Sequence, residues 1–321
     1  MEKNGEAFKK YQSQCIVTLA FGLLIGAFYI ASPVTFGGSV IYRSFLSTLP
    51  PVTLLALGLT FLIIMGQMDL SFPSVSALGA WIFAVGLRGG LPPWFAVGLA
   101  LAAGVGAGWL NGILVAYLRM PGMIATIGTQ FAWRGFLLLA SDGLALPLAS
   151  FSRTAPFQVF AGRIGSWMLP AQALWALVIA GGCAVALNRT PFGEAALFVG
   201  DNRGAAEMMG IKPRRVIMKG YLLMGFLAAL AGLISTAELA NWWPTQGDGY
   251  MLLAFAAVFV GGTSAQGGEG TVYGTAVGSL IIGIIEGGIV AAGLTGFWTR
   301  LIHGLVIITS VCLYSLLSRR R

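Results

Sequence analysis

Charge is scarce in this chain. Lys, Arg, Asp and Glu make up 9% of its 321 residues, against about a quarter in an average soluble domain, so water is not its main solvent. Histidine is nearly missing, with His303 alone, and the three cysteines, Cys15, Cys183 and Cys312, lie in apolar runs without ligand spacing or evident partners. That pattern predicts no metal site and reads the cysteines as small buried apolar side chains. His303 reads as a packing or hydrogen-bonding residue of the last apolar run. No G-x-x-x-x-G-K-[ST] sequence occurs, so the chain has no phosphate-cradling loop of its own. Nor does any convergent His, Cys or carboxylate cluster mark a catalytic centre.

What fills the chain instead is apolar sequence: 57% hydrophobic residues and a mean hydropathy of +0.84. Runs of about 18 to 25 apolar residues are long enough to cross a hydrocarbon core about 30 Å thick. They recur near 15–32, 45–66, 74–87, 94–118, 123–140, 167–187, 216–238, 251–262, 271–292 and 298–317. Lipid offers backbone amides no partners, so helices must carry the fold. The expected class is all-α, a polytopic membrane helix bundle of about ten transmembrane helices. The third and eighth runs are short for a full crossing and are expected to be broken or re-entrant. A polar tail over 1–14 precedes a single transmembrane domain over 15–318, and 319–321 form the C-terminal end. The first apolar run exceeds a signal-peptide core and is followed by no A-x-A site, so it reads as an uncleaved span.

The net charge of +8 does not point to nucleic acid, because the basic residues sit between apolar runs. With the N-terminus in the cytoplasm, Lys3, Lys9, Lys10, Arg119, Arg189, Arg203, Lys212, Arg214, Arg215, Lys219 and Arg319–Arg321 all fall inside. Only Arg43, Arg88, Arg153 and Arg163 then fall outside, the asymmetry that orients membrane proteins with their positive loops inward. Both termini are expected to be cytoplasmic. Trp242 and Trp243 read as headgroup anchors at the outer boundary, and Arg134 and Glu238 as residues snorkelling from span ends.

Glycines four residues apart, Gly104 and Gly108, Gly274 and Gly278, predict close helix crossings. Two apolar runs are interrupted by polar, Gly- or Pro-containing breaks, one around Asp69-Leu70-Ser71 and one around Gly261-Gly262-Thr263-Ser264. Broken helices in both halves of a chain are a transporter signature. Between the sixth and seventh runs, 188–215 presents a polar and basic loop. Within it Asp201 or Asn202 can cap a short helix over 203–209 that Gly210 ends in the left-handed conformation. Ala205, Met208 and Met209 form its apolar stripe, with Glu207 beside it. The residues leave two readings open, a lever gripped by a partner or an ordinary topology-fixing loop.

A set of collinear motifs bears on that choice. Met65 to Ser71, Gly106 to Gly112, Ile124 to Thr129, Arg189 to Gly193, Gly200 to Ala206 with Met209-Gly210-Ile211, Leu227 to Gly232, Pro244 to Tyr250, Gly261 to Ser264 and Gly267 to Gly270 together resemble the ribose-type (sugar and autoinducer-2) permease family of ATP-binding-cassette importers, over roughly residues 50–315. Two departures stand out: Phe72-Pro73-Ser74 follows Asp69-Leu70-Ser71 where the family has an early Gly, and Glu286-Gly287-Gly288 stands where it commonly has paired asparagines.

The resemblance implies a permease subunit of a bacterial importer for a sugar or sugar-like solute, in the inner membrane. It implies alternating access driven by separate cytoplasmic ATPase subunits, a periplasmic solute-binding protein and a second permease subunit, identical or sister. The chain itself would bind no cofactor, with ATP and magnesium held by the partner ATPase. By the same match, coupling falls to Asn202, Arg203, Ala205, Ala206, Glu207, Met208, Met209, Gly210 and Ile211.

Buried ionisable residues in spans suggest function. Glu286 reads either as a paired structural carboxylate, with Arg300 as a possible neighbour, or as an acceptor for solute hydroxyls. Asn111, Gln130 and Trp133 are candidates to complete such a path, and Asp69 is a further buried carboxylate. Such carboxylates also suit the alternative, an ion-coupled secondary transporter of a small polar solute.

Overall fold

The computed structural model describes residues 2–291 and 297–318, with side chains over 14–291 and discontinuously over 297–312. Met1, the end at 319–321 and the side chain of Arg300 lie outside the described residues. The chain is helical almost throughout: α1 (Glu2–Ala31), α2 (Pro33–Phe36), α3 (Ser39–Thr48), α4 (Pro50–Ile64), α5 (Phe72–Arg88), α6 (Pro93–Gly112) running on into a π-turn (Ile113–Tyr117), α7 (Gly122–Ala140) and α8 (Ala155–Ala161). There follow α9 (Ala171–Arg189), α10 (Pro191–Asp201), α11 (Arg203–Met208), α12 (Pro213–Leu239), α13 (Tyr250–Val260), α14 (Val272–Ala291) and α15 (Phe297–Ser318). Two short β-pairs are the sheet structure described: Leu146–Pro147 with Asn241–Trp242, and Arg163–Ile164 with Leu169–Pro170.

Local chemistry sets the punctuation. Proline stands at the first helical position of α4, α6, α10 and α12, where its missing N–H has no intrahelical role. Among the described helices six are long and apolar enough to cross a membrane alone, and α3 with α4, bent by 47°, makes a seventh. The segment read as an N-terminal tail is helical from Glu2 onward.

At the centre stands α12, packed on α4, α5 and α6. The expected glycine crossings are present. A Cβ on Gly225 would strike the Gly104 carbonyl, one on Gly108 the Tyr221 carbonyl, and one on Gly232 the Ser76 carbonyl. Gly278 likewise presses on the Ala257 carbonyl, joining α14 to α13. Without a hydrophobic drive between helices in lipid, this backbone approach supplies the packing. Hydroxyl pairs add to it: Thr53 with Ser279 at 2.8 Å and Thr60 with Thr275 at 2.6 Å tie α4 to α14, each worth about 0.6 kcal/mol.

The eighth run is broken in a way its length only partly discloses. After α12, Ala240 turns in the left-handed region at φ 46°, and the chain descends without helix along α12 and α5. The Trp242 indole donates to the Ala77 carbonyl at 3.0 Å, and the Gln246 amide donates to the Gly232 carbonyl at 3.2 Å. Gly232 lies about two turns inside the end of α12, so α13 starts within the bundle and its 11 residues complete the crossing.

Three expectations are corrected here. Trp242 is fully buried because its indole fills the space beside α5, so it is not a headgroup anchor. Arg134 does not snorkel: its side chain is 12% exposed, ion-paired to Asp248, and it donates to the carbonyls of Pro244 and Gln246. Cys15 and Cys312 are exposed, and only Cys183 of the three is buried.

Candidate functional site

The segment 188–215 folds as two helices where one short helix was expected. Thr190 caps α10 by accepting the Gly193 amide, Pro191 occupies its first turn and Glu194 lies near its positive end. On α10, Phe192 stacks on Phe61 with centroids 5.8 Å apart, and Lys219 lies over the Phe192 ring at 5.9 Å. The α10 helix thereby holds the end of α4.

The following helix, α11, is fastened at both ends. Asn202, rather than Asp201, is the N-cap, its side-chain oxygen accepting the Ala205 amide at 3.0 Å. At the other end Gly210 is left-handed at φ 81°. Its amide donates to the Glu207 carbonyl and the Ile211 amide to the Ala206 carbonyl, both at 3.0 Å, the paired bonds of a Schellman ending. A helix of six residues is not stable alone; Ala206, fully buried, seats it on the bundle. Met208 and Met209 point away and are 86% and 57% exposed. The expected stripe of Ala205, Met208 and Met209 does not face the bundle: Ala206, outside it, is the buried residue, and the methionines are left uncovered.

Both breaks of the bundle meet at α10. The Ile64 carbonyl, ending α4, accepts the Gly268 amide at 2.8 Å, and Gly200 packs on that carbonyl. Gly267 lies against Gly66. The 65–71 break and the 261–271 break are thus joined to one helix of the 188–215 segment.

A polar network fixes the first break. Asp69 Oδ1 accepts from the Ser71 amide and hydroxyl, both at 2.6 Å. Asn111 Nδ2 donates to Ser71 Oγ at 2.7 Å, and Thr129 donates to Asn111 Oδ1 at 2.8 Å. The Leu70 amide donates to Thr126 Oγ1 at 3.0 Å, and Tyr221 donates to the Met68 carbonyl at 3.3 Å. With its nitrogen turned to the break, the Gln130 amide donates to the Leu70 and Ser71 carbonyls at 3.1 Å. Backbone groups freed by the missing helical turn are satisfied from α7 and α12, as a break inside a bundle requires, while Asn111 of α6 holds the Ser71 side chain.

The structure therefore brings together Asp69, Asn111 and Gln130. Trp133 lies one turn further along α7, half-buried, and its indole N–H has no partner among the described residues. Glu286 is elsewhere, exposed on α14. It lies near His303, which is buried against the Ile282 carbonyl. On the far face Glu238 is paired with Arg163 at 2.6 Å and also bonded by Gln172.

Residues 41–311 of the chain match the family described as branched-chain amino acid transport system, permease component. The chain belongs to this permease family. Among the permease's relatives, the ribose import permease protein RbsC of Bacillus subtilis is 36% identical over 260 residues, covering 81% of this chain and 80% of its own. The Escherichia coli K12 protein of the same name is 33% identical over 261 residues, 80% of each chain. The autoinducer 2 import system permease protein LsrC of Yersinia enterocolitica is 33% identical over 259 residues, 79% of this chain and 69% of its own. No solved structure gives a significant match. The permease is a multi-pass membrane protein, and the match extends over both breaks and the 188–215 segment.

Proposed function

We propose that the permease is the transmembrane subunit of a bacterial ATP-binding-cassette importer that translocates a sugar or sugar-like solute by alternating access. The observation that carries this is α11: a short helix locked at both ends, seated through Ala206, presenting Met208 and Met209 uncovered, and joined through α10 to both breaks. A helix so placed transmits a push from outside to α4, to the 65–71 turn and to the 261–271 turn as one body. The motor is a separate ATPase, since the chain has no phosphate-cradling loop. Asn202–Ile211 carry the coupling.

The relatives' names support a sugar-class solute. The Lys and Arg distribution supports cytoplasmic termini and a cytoplasmic α11, with a solute-binding protein meeting the opposite face. The solute path runs on the α7 side of the first break. Gln130 and Trp133 are nearest to it, and Asp69 and Asn111 hold the break behind them. Glu286, on the exposed side of α14, is available to a second permease subunit.

Reconstitution tests the assignment. Uptake into proteoliposomes is expected to require the ATPase subunits and ATP and to ignore an ionophore. Uptake by the permease alone, abolished by an ionophore, would replace it with the ion-coupled reading that the buried Asp69 carboxylate otherwise invites.

A further inference from the structure

Beside α11 lies a cavity of about 540 Å³ between the first break, the elbow after the π-turn and the start of α12. Gly66, Gln67, Arg119, Arg203, Glu207 and Arg214 border it, and its exposed lining is mostly polar. Positive loops on this face explain the presence of arginine. They do not explain three guanidiniums bordering one concavity. Arg203 is loosely paired to Glu207 at 3.8 Å, while Arg119 and Arg214 have no ion-pair partner among the described residues. Arg119 also sits at φ 59°, a left-handed conformation unusual for a long side chain and concentrated at ligand clamps and switches.

We propose that this cavity binds a phosphate-bearing anion of roughly sugar size. Three arginines and one glutamate leave the rim with a net charge near +2, matching a phosphomonoester dianion, which carries about −1.5 to −2 at pH 7. Guanidinium forks suit phosphate oxygens. The volume falls within the usual range of small-ligand pockets, about 300–1,000 Å³, and exceeds what bare phosphate fills. The mostly polar lining suits hydroxyls, with Val115, Met120 and Pro121 as its apolar part. An occupant bridges Arg203 on α11 to Arg119 and Arg214 on the bundle, and so holds the coupling helix in place. That consequence for transport rests on the coupling role proposed above; the binding itself does not.

The test uses the full-length permease in detergent, without its ATPase. Unfolding temperature is followed against glucose 6-phosphate, inorganic phosphate and glucose at matched ionic strength, and in nanodiscs with or without phosphatidylglycerol. Glucose 6-phosphate is expected to stabilise, phosphate to do so more weakly and glucose not at all. Arg119→Gln and Arg214→Gln should each weaken binding by about tenfold or more, and Glu207→Gln should tighten it. Stabilisation by phosphatidylglycerol alone, lost in the same arginine variants, would keep the phosphate chemistry and assign its source to lipid. No response to any phosphate probe, or a response that survives both arginine changes, overturns the proposal. So does loss of ATPase co-purification in those variants without any probe binding by the parent protein, which would make the cavity a protein-docking surface.

Discussion

The Gly268 amide donates to the Ile64 carbonyl at 2.8 Å, joining the second break of the bundle to the end of α4. Gly200 of α10 lies over that same carbonyl, which leaves no room for a side chain there. Gly200→Ala is therefore expected to destabilise the protein by about 1–3 kcal/mol through overpacking, seen as a lower unfolding temperature in detergent. Gly204, where an added Cβ meets only the Asn202 side chain at 3.5 Å, is the control: Gly204→Ala should stay within about 0.5 kcal/mol of the parent.

The Asn202 cap gives a second expectation. Asn202→Ala removes the acceptor for the Ala205 amide and should cost α11 about 1 kcal/mol. Asn202→Asp keeps the acceptor. With the ATPase present, the alanine variant is expected to hydrolyse ATP with less solute moved per ATP, and the aspartate variant to keep the parent ratio. Equal ratios in all three would detach the cap from coupling. Gly210→Pro and Glu207→Arg are expected to insert normally and to uncouple in the same assay.

Arg134 and Asp248 are unequal partners. Arg134 holds two carbonyls of the descending segment besides the Asp248 carboxylate, whereas Asp248 is 53% exposed. Arg134→Ala should cost about 1.5–3 kcal/mol for the charged hydrogen bonds lost. Asp248→Ala should cost less than about 1 kcal/mol. Thermal unfolding of the two variants side by side checks the order; a larger loss from Asp248→Ala would contradict it.

The two uncovered methionines should matter to a partner and not to the fold. Met208→Ser with Met209→Ser exposes nothing new, so stability is expected to change by no more than about 0.5 kcal/mol. Covering these side chains against an ATPase would contribute about 2 kcal/mol or more, so affinity for that subunit should fall roughly tenfold or more. Titration of the detergent-solubilised permease with labelled ATPase measures it.

Much of this architecture is legible in the sequence because lipid makes the rules strict. Apolar run length marks the crossings, and four-residue glycine spacing marks the contacts at Gly104, Gly108, Gly274 and Gly278. Cap chemistry marks both ends of α11. What hydropathy does not convey is tertiary pairing. Trp242 reads as a belt residue until the chain before α13 is seen to descend inside the bundle. Arg134 reads as a snorkelling residue for the same reason, since its acceptors lie more than a hundred positions away. The helix α10 had a readable start, Thr190-Pro191 with Glu194, hidden by the expectation of a loop. Asp69, Asn111 and Gln130 converge as one cluster, but nothing in their spacing shows that they hold a turn together.

The most direct measurement is a cross-link at α11. In a variant with Cys15 and Cys312 replaced, since both are exposed and would compete, Met208→Cys places a single reactive thiol at the most exposed position of the helix. In native membranes containing the whole transporter, that thiol is expected to join to the ATPase subunit with a short cross-linker, in an amount that changes when ATP is trapped. A thiol at position 208 that reacts only with periplasmic reagents, or that never reaches the ATPase in any nucleotide state, would contradict the account.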